Sequence, residues 1–181
     1  MKVAISGGTG FIGSAVVQRL RDRGDEVAML RRGEAQIGDV NINLAGENIG
    51  TRWTRERKRR VLDSRVTTTN AIVAAHPRVL INASAVGFYG PRGDEILDES
   101  SPGGAGFLAD VTRQWEEAAH RADGFARVVI FRFGVVLAAS GGALQQMMLP
   151  FRFCAGGPIG SGRQWMSWID RQDVVRAIEW A

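Results

Sequence analysis

Three groups of residues in this chain are of types that do chemistry. The first is Gly7-Gly8-Thr9-Gly10-Phe11-Ile12-Gly13. Gly7 permits a tight turn, Gly10 lets a backbone approach a pyrophosphate, and Gly13 lets a helix pack closely on the preceding strand. The second is Arg31-Arg32. A carboxylate at the end of the second strand of such a unit reads the ribose hydroxyls of NAD, whereas arginine accommodates the 2′-phosphate of NADP through bidentate, charge-assisted bonds. No acid follows until Glu34, which puts NADP ahead of NAD. The plain alternatives are an ordinary glycine-rich turn and two surface arginines. The third group is Ser84 and Tyr89 in Ser84-Ala85-Val86-Gly87-Phe88-Tyr89-Gly90, two hydroxyls that could handle a proton.

The elements around these residues give them positions. Residues 3–5 are a short apolar run and Ile12, Val16, Val17 and Leu20 recur at helical spacing, so the glycine turn joins a buried strand to a helix that stops near Gly24. The helix N-terminus offers free N–H groups and a positive dipole end to phosphate. Residues 27–30 read as the second strand, 40–46 as a strand entering a tight turn, and 79–83 and 128–131 as two more. The longest helical pattern is 53–76, capped by Thr51 or Thr54 and closed by Pro77, with Arg65 near its apolar stripe. Helices are also expected over 107–121, 141–153 (with Leu144, Met148 and Phe151 on one face and the Met pair filling core) and 174–181, and a short strand over 164–169. Loops 91–106 and 155–163 are long or glycine-rich enough to wall a substrate site. The fold class is α/β: a doubly wound parallel sheet with helices on both faces, in one domain over 1–181. Residues 33–39 are too few for the dozen or more that a parallel crossover takes. Either a third strand has been lost or residues are missing near Gln36–Ile37, and the second is preferred.

At 181 residues with 45% hydrophobic content and a net charge of +4, the chain reads as one globular domain. It shows no bilayer-spanning run and no signal-peptide pattern. One cysteine, Cys154, and two separated histidines, His76 and His120, give no metal cluster. A cytosolic protein with a small-molecule substrate and no membrane partner is expected, and a homodimer is admitted. The arginine-rich run 52–60 lacks a nucleic-acid motif and reads as a solvated helix face, so no nucleic-acid partner is expected.

In order along the chain stand GGTGFIG, NLAGE at 43–47, SAVGFYG at 84–90, RFGVVL at 132–137 and GGPIGSGRQWMSWI at 156–169. These motifs resemble those of the atypical extended short-chain dehydrogenase/reductases, the sugar-nucleotide epimerase-like group, over essentially the whole chain. The resemblance implies an NADP-binding α/β fold, further residues where 33–39 is short, and a C-terminal substrate region lying mostly beyond Ala181. It places cofactor contacts on Gly7, Thr9, Gly10, Phe11, Ile12 and Gly13, on Arg31 and Arg32, on Leu44, Ala45 and Gly46, on Arg65, and on Val136. For Arg65 a salt bridge to Asp63 or Glu47 is an equal alternative.

The wider superfamily uses a tyrosine with a lysine four residues on. Tyr89 is the only tyrosine here, Gly93 follows it at that spacing, and the lysines are Lys2 and Lys58. In the helix where the pair normally lies, the corresponding turns hold Leu108 and Thr112. Two readings follow. Tyr89 and Ser84 do the proton work of an epimerase or oxidoreductase acting on a nucleotide-sugar or a small carbonyl or hydroxyl compound; an unassisted tyrosine, with a reference pKa of ~10, is a poor base, so Arg132 or Arg163 would have to help. Otherwise the chain is an NADP(H)-binding sensor or partner-binding module with little turnover, and Tyr89 packs under loop 91–106.

Overall fold

Val3, Ala4 and Ile5 are all buried in β1 (Lys2–Ser6), as a strand covered on both faces requires. This computed structural model describes residues 1–31, 34, 38–158 and 160–181. Arg32, most of the short segment 33–39 and the expected break near Gln36–Ile37 lie outside them. From β1 the chain passes through the glycine turn into α1 (Gly13–Asp22), which buries Val16, Val17 and Leu20, and returns in β2 (Glu26–Leu30). Then come β3 (Val40–Asn43), α2 (Arg55–Ala74), β4 (Val79–Ala85), a 3-10 turn (Val86–Tyr89), α3 (Phe107–His120) and β5 (Arg127–Phe133). The five strands form one parallel sheet in the order β2-β1-β3-β4-β5.

Helices cover both faces, and strand alternation shows which residues meet which. Val3, Ile5, Ile42 and Ile81 pack with Val16, Val17 and Leu20 of α1 and with Val174, Val175 and Ile178 of α5 (Arg171–Trp180). On the other face Leu80, Val128 and Ile130 meet Ile72 and Val73 of α2 and Ala119 of α3. Thr54 caps α2 by accepting from the Arg57 N–H at 3.2 Å, and Asp170 caps α5 by accepting from Gln172 at 2.7 Å.

The strand order reverses at β1. Strand β2 lies on one side of it and β3 on the other, so the C-terminal ends of β1 and β3 form the crevice where open α/β sheets take ligands. Among the described residues β2 is a sheet edge, and Met29 there is 48% exposed.

Two expectations need correction. The strand expected over 164–169 is only β7 (Trp168–Asp170), paired with β6 (Val135–Ala138) in a small parallel sheet. Gly160 and Gly162 take left-handed conformations, and Trp165 donates its indole N–H to Asp94 of loop 91–106 at 2.6 Å, while the Ser167 carbonyl, next to β7, accepts from the Val135 N–H at 2.8 Å. Helix α4 (Gly142–Arg152) has no buried residue; Met148 and Phe151 are exposed, so the Met pair does not fill core.

Candidate cofactor and active site

The glycine turn is built so that side chains cannot replace its glycines. A Cβ on Gly13 would lie 2.1 Å from the Gly7 carbonyl oxygen, and one on Gly7 (φ +78°) would lie 2.7 Å from the Leu44 carbonyl group. Gly7 and Gly13 thus lock three pieces of backbone together: the turn, the start of α1 and the turn after β3. Gly10 is exposed; its N–H donates to the Gly7 carbonyl at 2.9 Å, and a Cβ on it would lie 3.2 Å from that same oxygen. Helix α1 has Ile12 at its N-cap, no side-chain cap and no acid in its first turn. The N–H groups of Phe11, Ile12 and Gly13 meet no acceptor among the described residues. Unpaired donors at a positive helix end make an anion site. Thr9 is exposed, while Phe11 and Ile12 are half-buried. The Phe11 ring seats against Gly142 and under the Arg171 guanidinium, 5.0 Å from the ring centre.

Arg31 leaves the end of β2 with its side chain in solvent. Its backbone N–H donates to the Glu34 carboxylate at 2.9 Å. Glu34, the first acid after β2, thus accepts from the backbone of the strand's end.

Leu44, Ala45 and Gly46 form the facing wall. The Leu44 N–H donates to the Ser6 carbonyl at 2.9 Å, and the Ala45 N–H to Asn43 Oδ1 at 3.3 Å. Asn43 donates in turn to Asn82 and to Thr69, which also accepts the Trp115 indole N–H at 3.0 Å. Arg65 lies against this wall: its guanidinium sits 5.0 Å from the Trp115 ring centre, and a Cβ on Gly46 would come within 2.8 Å of Cζ. Its Nη1 donates to the carbonyls of Glu47 (3.2 Å) and Val61 (3.0 Å), while Arg57 donates to the Glu47 carboxylate at 2.8 Å. Burial pushes the Arg65 pKa down to about 10 against the pull of the Glu47 charge. Arg65 thus holds the 44–47 turn in shape. Val136 lies in β6, half-buried and paired with Ile169.

Ser84 and Tyr89 are drawn into one cluster. Ser84 lies inside β4, 3% exposed, and its hydroxyl donates to Glu116 at 2.5 Å. Arg132, at the end of β5, grips the same carboxylate twice, Nε to Oε1 at 2.9 Å and Nη2 to Oε2 at 2.8 Å. Its Nη1 donates to the Tyr89 hydroxyl at 2.9 Å, and its guanidinium stacks on Phe88 at 3.6 Å. These bonds, Glu116 foremost, hold the Arg132 pKa above the usual arginine value. Thr112 donates to the carbonyls of Leu108 and Ala109 in its own helix.

Two clefts open beside the cluster. One, of about 760 Å³, runs along β5 and is lined by Glu116, Arg132, Phe133 and Trp168. The other, of about 810 Å³, lies between loops 91–106 and 155–163, with Arg92, Asp94, Arg163 and Trp165 in its walls. Tyr89 lines both.

Residues 3–41 match the model of the NAD dependent epimerase/dehydratase family. The chain is 42% identical over 205 residues to the mouse epimerase family protein SDR39U1, covering all of this chain and 70% of the mouse protein. This chain belongs to the SDR39U1 epimerase family. A chloroplastic SDR39U1 homolog of Arabidopsis thaliana is 38% identical over 212 residues, covering 98% of this chain and 61% of that protein. The crystal structure of human SDR39U1 (isoform 2) with NADPH superposes with a TM-score of 0.90 at 36% identity, covering 99% of this chain and 69% of that one. The chain therefore spans about 61 to 70% of the length of these two SDR39U1 relatives. The alignments are also longer than the 181 residues of the chain, so the relatives carry residues that it lacks.

Sequence reasoning missed Glu116 as the centre of the hydroxyl cluster. Its signal was an acid beside Trp115 on the inward face of α3, where a charge is found only when paired. The Arg171–Phe11 contact joins residues 160 apart and has no local signal. Among the described residues no three His, Cys, Asp or Glu side chains gather as a metal site, and no helix is long and apolar enough to cross a membrane.

Proposed function

We propose that this chain binds NADP(H) across the β1–β3 crevice and belongs to an epimerase or oxidoreductase that acts on a nucleotide-sugar or a small carbonyl or hydroxyl compound in the cytosol. One observation carries the cofactor reading: the glycine turn holds three free N–H groups at an uncapped helix N-terminus, in a backbone contact that no Cβ fits. That cradle suits a pyrophosphate. Arg31, with Glu34 engaged, suits the 2′-phosphate, and the human family member was crystallised with NADPH. Bound NADP(H) supplies or accepts a hydride. The residues of the chain do the rest: the 44–47 turn, braced by Arg65, forms the wall facing the glycine turn, and the cleft between loops 91–106 and 155–163 receives the substrate beside Tyr89. The partner in this reading is a small molecule, and the arginine run 52–60 is a solvated face except at Arg57, which pairs with Glu47.

Fluorescence titration tests the cofactor. NADPH binds at least about tenfold more tightly than NADH, the difference that one charge-assisted phosphate contact makes. Equal affinities would remove the role given to Arg31 and Arg32. A second reading, an NADP(H) sensor without turnover, is favoured by one observation: Leu108 and a Thr112 bonded to its own helix stand where the tyrosine–lysine pair lies in the wider superfamily. A carbonyl-reduction screen that shows no NADPH oxidation would select it.

A further inference from the structure

The two candidate hydroxyls are not equivalent. The Ser84 proton is committed, because Ser84 Oγ donates to a Glu116 carboxylate that accepts everything offered to it. Tyr89 stands the other way round. Its oxygen accepts from Arg132 Nη1, and its own O–H meets no acceptor among the described residues. A hydroxyl that accepts from a guanidinium must aim its proton elsewhere, and Tyr89 borders both clefts. Arg132 cannot turn away: Glu116 holds two of its nitrogens, Phe88 covers its face, and the Glu99 carbonyl of loop 91–106 takes a further bond from Nη1 at 3.3 Å.

We propose that Tyr89 is the proton donor to substrate, that Arg132 is the fixed cation replacing the missing lysine, and that Glu116 and Ser84 position Arg132 without touching substrate. The inference rests on the enzyme reading above. In the reducing direction the Tyr89 O–H bond breaks and its proton passes to the substrate oxygen, which gains negative charge as a hydride from reduced nicotinamide reaches its carbon. The electron pair stays on Tyr89 Oη, where Nη1 of Arg132 holds it. The epimerising or oxidising direction runs the same transfer backwards. A lysine in the usual dyad is tied by its backbone to the tyrosine's own helix. Here the cation comes from the neighbouring strand β5, and the carboxylate that aims it comes from α3.

The test uses the full chain with NADPH and a small dicarbonyl, 9,10-phenanthrenequinone, following absorbance at 340 nm. Tyr89→Phe lowers kcat on the order of 100-fold or more, as loss of a general acid does, with NADPH affinity by fluorescence unchanged. Arg132→Met matches it, and Arg132→Lys recovers part of the loss. Ser84→Ala and Glu116→Gln lower kcat by roughly three- to tenfold, the smaller cost of losing an orienting group, and leave KM nearly unchanged. Because Tyr89 is the only tyrosine, 3-fluorotyrosine labelling gives one fluorine resonance, which Glu116→Gln shifts if Glu116 aims Arg132 at the ring. Full activity in Tyr89→Phe, a fluorine resonance unmoved by Glu116→Gln, or a Ser84→Ala enzyme as dead as Tyr89→Phe would overturn the proposal alone. Failure of the wild-type chain to oxidise NADPH with any carbonyl would overturn the enzyme reading and this inference together.

Discussion

Two backbone contacts at single residues set the cofactor crevice. Gly13→Ala must push the Gly7 carbonyl aside, because the added carbon would sit 2.1 Å from it. The expected cost is about 1–3 kcal/mol of stability, read as a lower midpoint in urea, together with loss of NADPH binding. Arg65→Met separates packing from charge. The buried guanidinium has a pKa near 10, below its ordinary value, so the folded state disfavours the charge at neutral pH and that penalty fades only as pH climbs past 10. Removing the charge relieves the penalty while losing two bonds to carbonyls. The expected outcome is a stability change within about 1 kcal/mol, with NADPH affinity down because the 44–47 turn loses its brace. A loss of several kcal/mol by denaturant titration would show that Arg65 is a structural keystone instead.

At the scale of elements, capping and loop ties are open to test. Thr54→Ala removes the cap of α2, and about 1 kcal/mol of stability should go with it, with the largest rise in amide exchange in the first turn of that helix. Trp165→Phe removes the indole bond to Asp94. Limited proteolysis should then cut loop 91–106 faster while the midpoint of unfolding stays put. The elements themselves were legible wherever apolar period and caps agreed: β1, α1, α2, α3 and β4 all follow from spacing, Thr54 and Pro77. The segment over 164–169 was not, because its partners, Asp94 for Trp165 and β6 for Ser167 and Trp168, lie some thirty to seventy positions away. The cluster around Glu116 was only half legible. Ser84 and Tyr89 announce themselves by type, but the committed Ser84 proton depends on a helix and a strand that meet only in the folded sheet. Likewise α4 reads as amphipathic, yet none of its residues is fully buried.

For the whole molecule, the strand order carries the functional argument. A sheet that reverses at β1 puts the glycine turn and the 44–46 turn on the same crevice, and this was legible because the strand–turn–helix signal opens the chain. The connection between β2 and β3 was legible as too short, but most of it lies outside the described residues. Saturating NADPH should stabilise the fold by about 2.7 kcal/mol at a hundredfold excess over Kd, visible as a raised Tm that NADH reproduces only at much higher concentration. The packing of α1 on α5 is closed by surface charge: Arg19 donates to Glu179 at 2.9 Å and holds that carboxyl below its ordinary value of 4.5. A lowered carboxyl contributes stability above the unfolded value and loses it as pH falls through the folded one. Glu179→Gln should therefore flatten the decline of Tm below about pH 4.5 and matter less in high salt.

The ring of Tyr89 is a party wall. With Val86, Leu97 and Ser167 it faces the 760 Å³ cleft on one side and the 810 Å³ cleft on the other. A molecule that fills both spaces therefore has to pass Tyr89, so the group placed to deliver a proton borders whatever joins the two rooms.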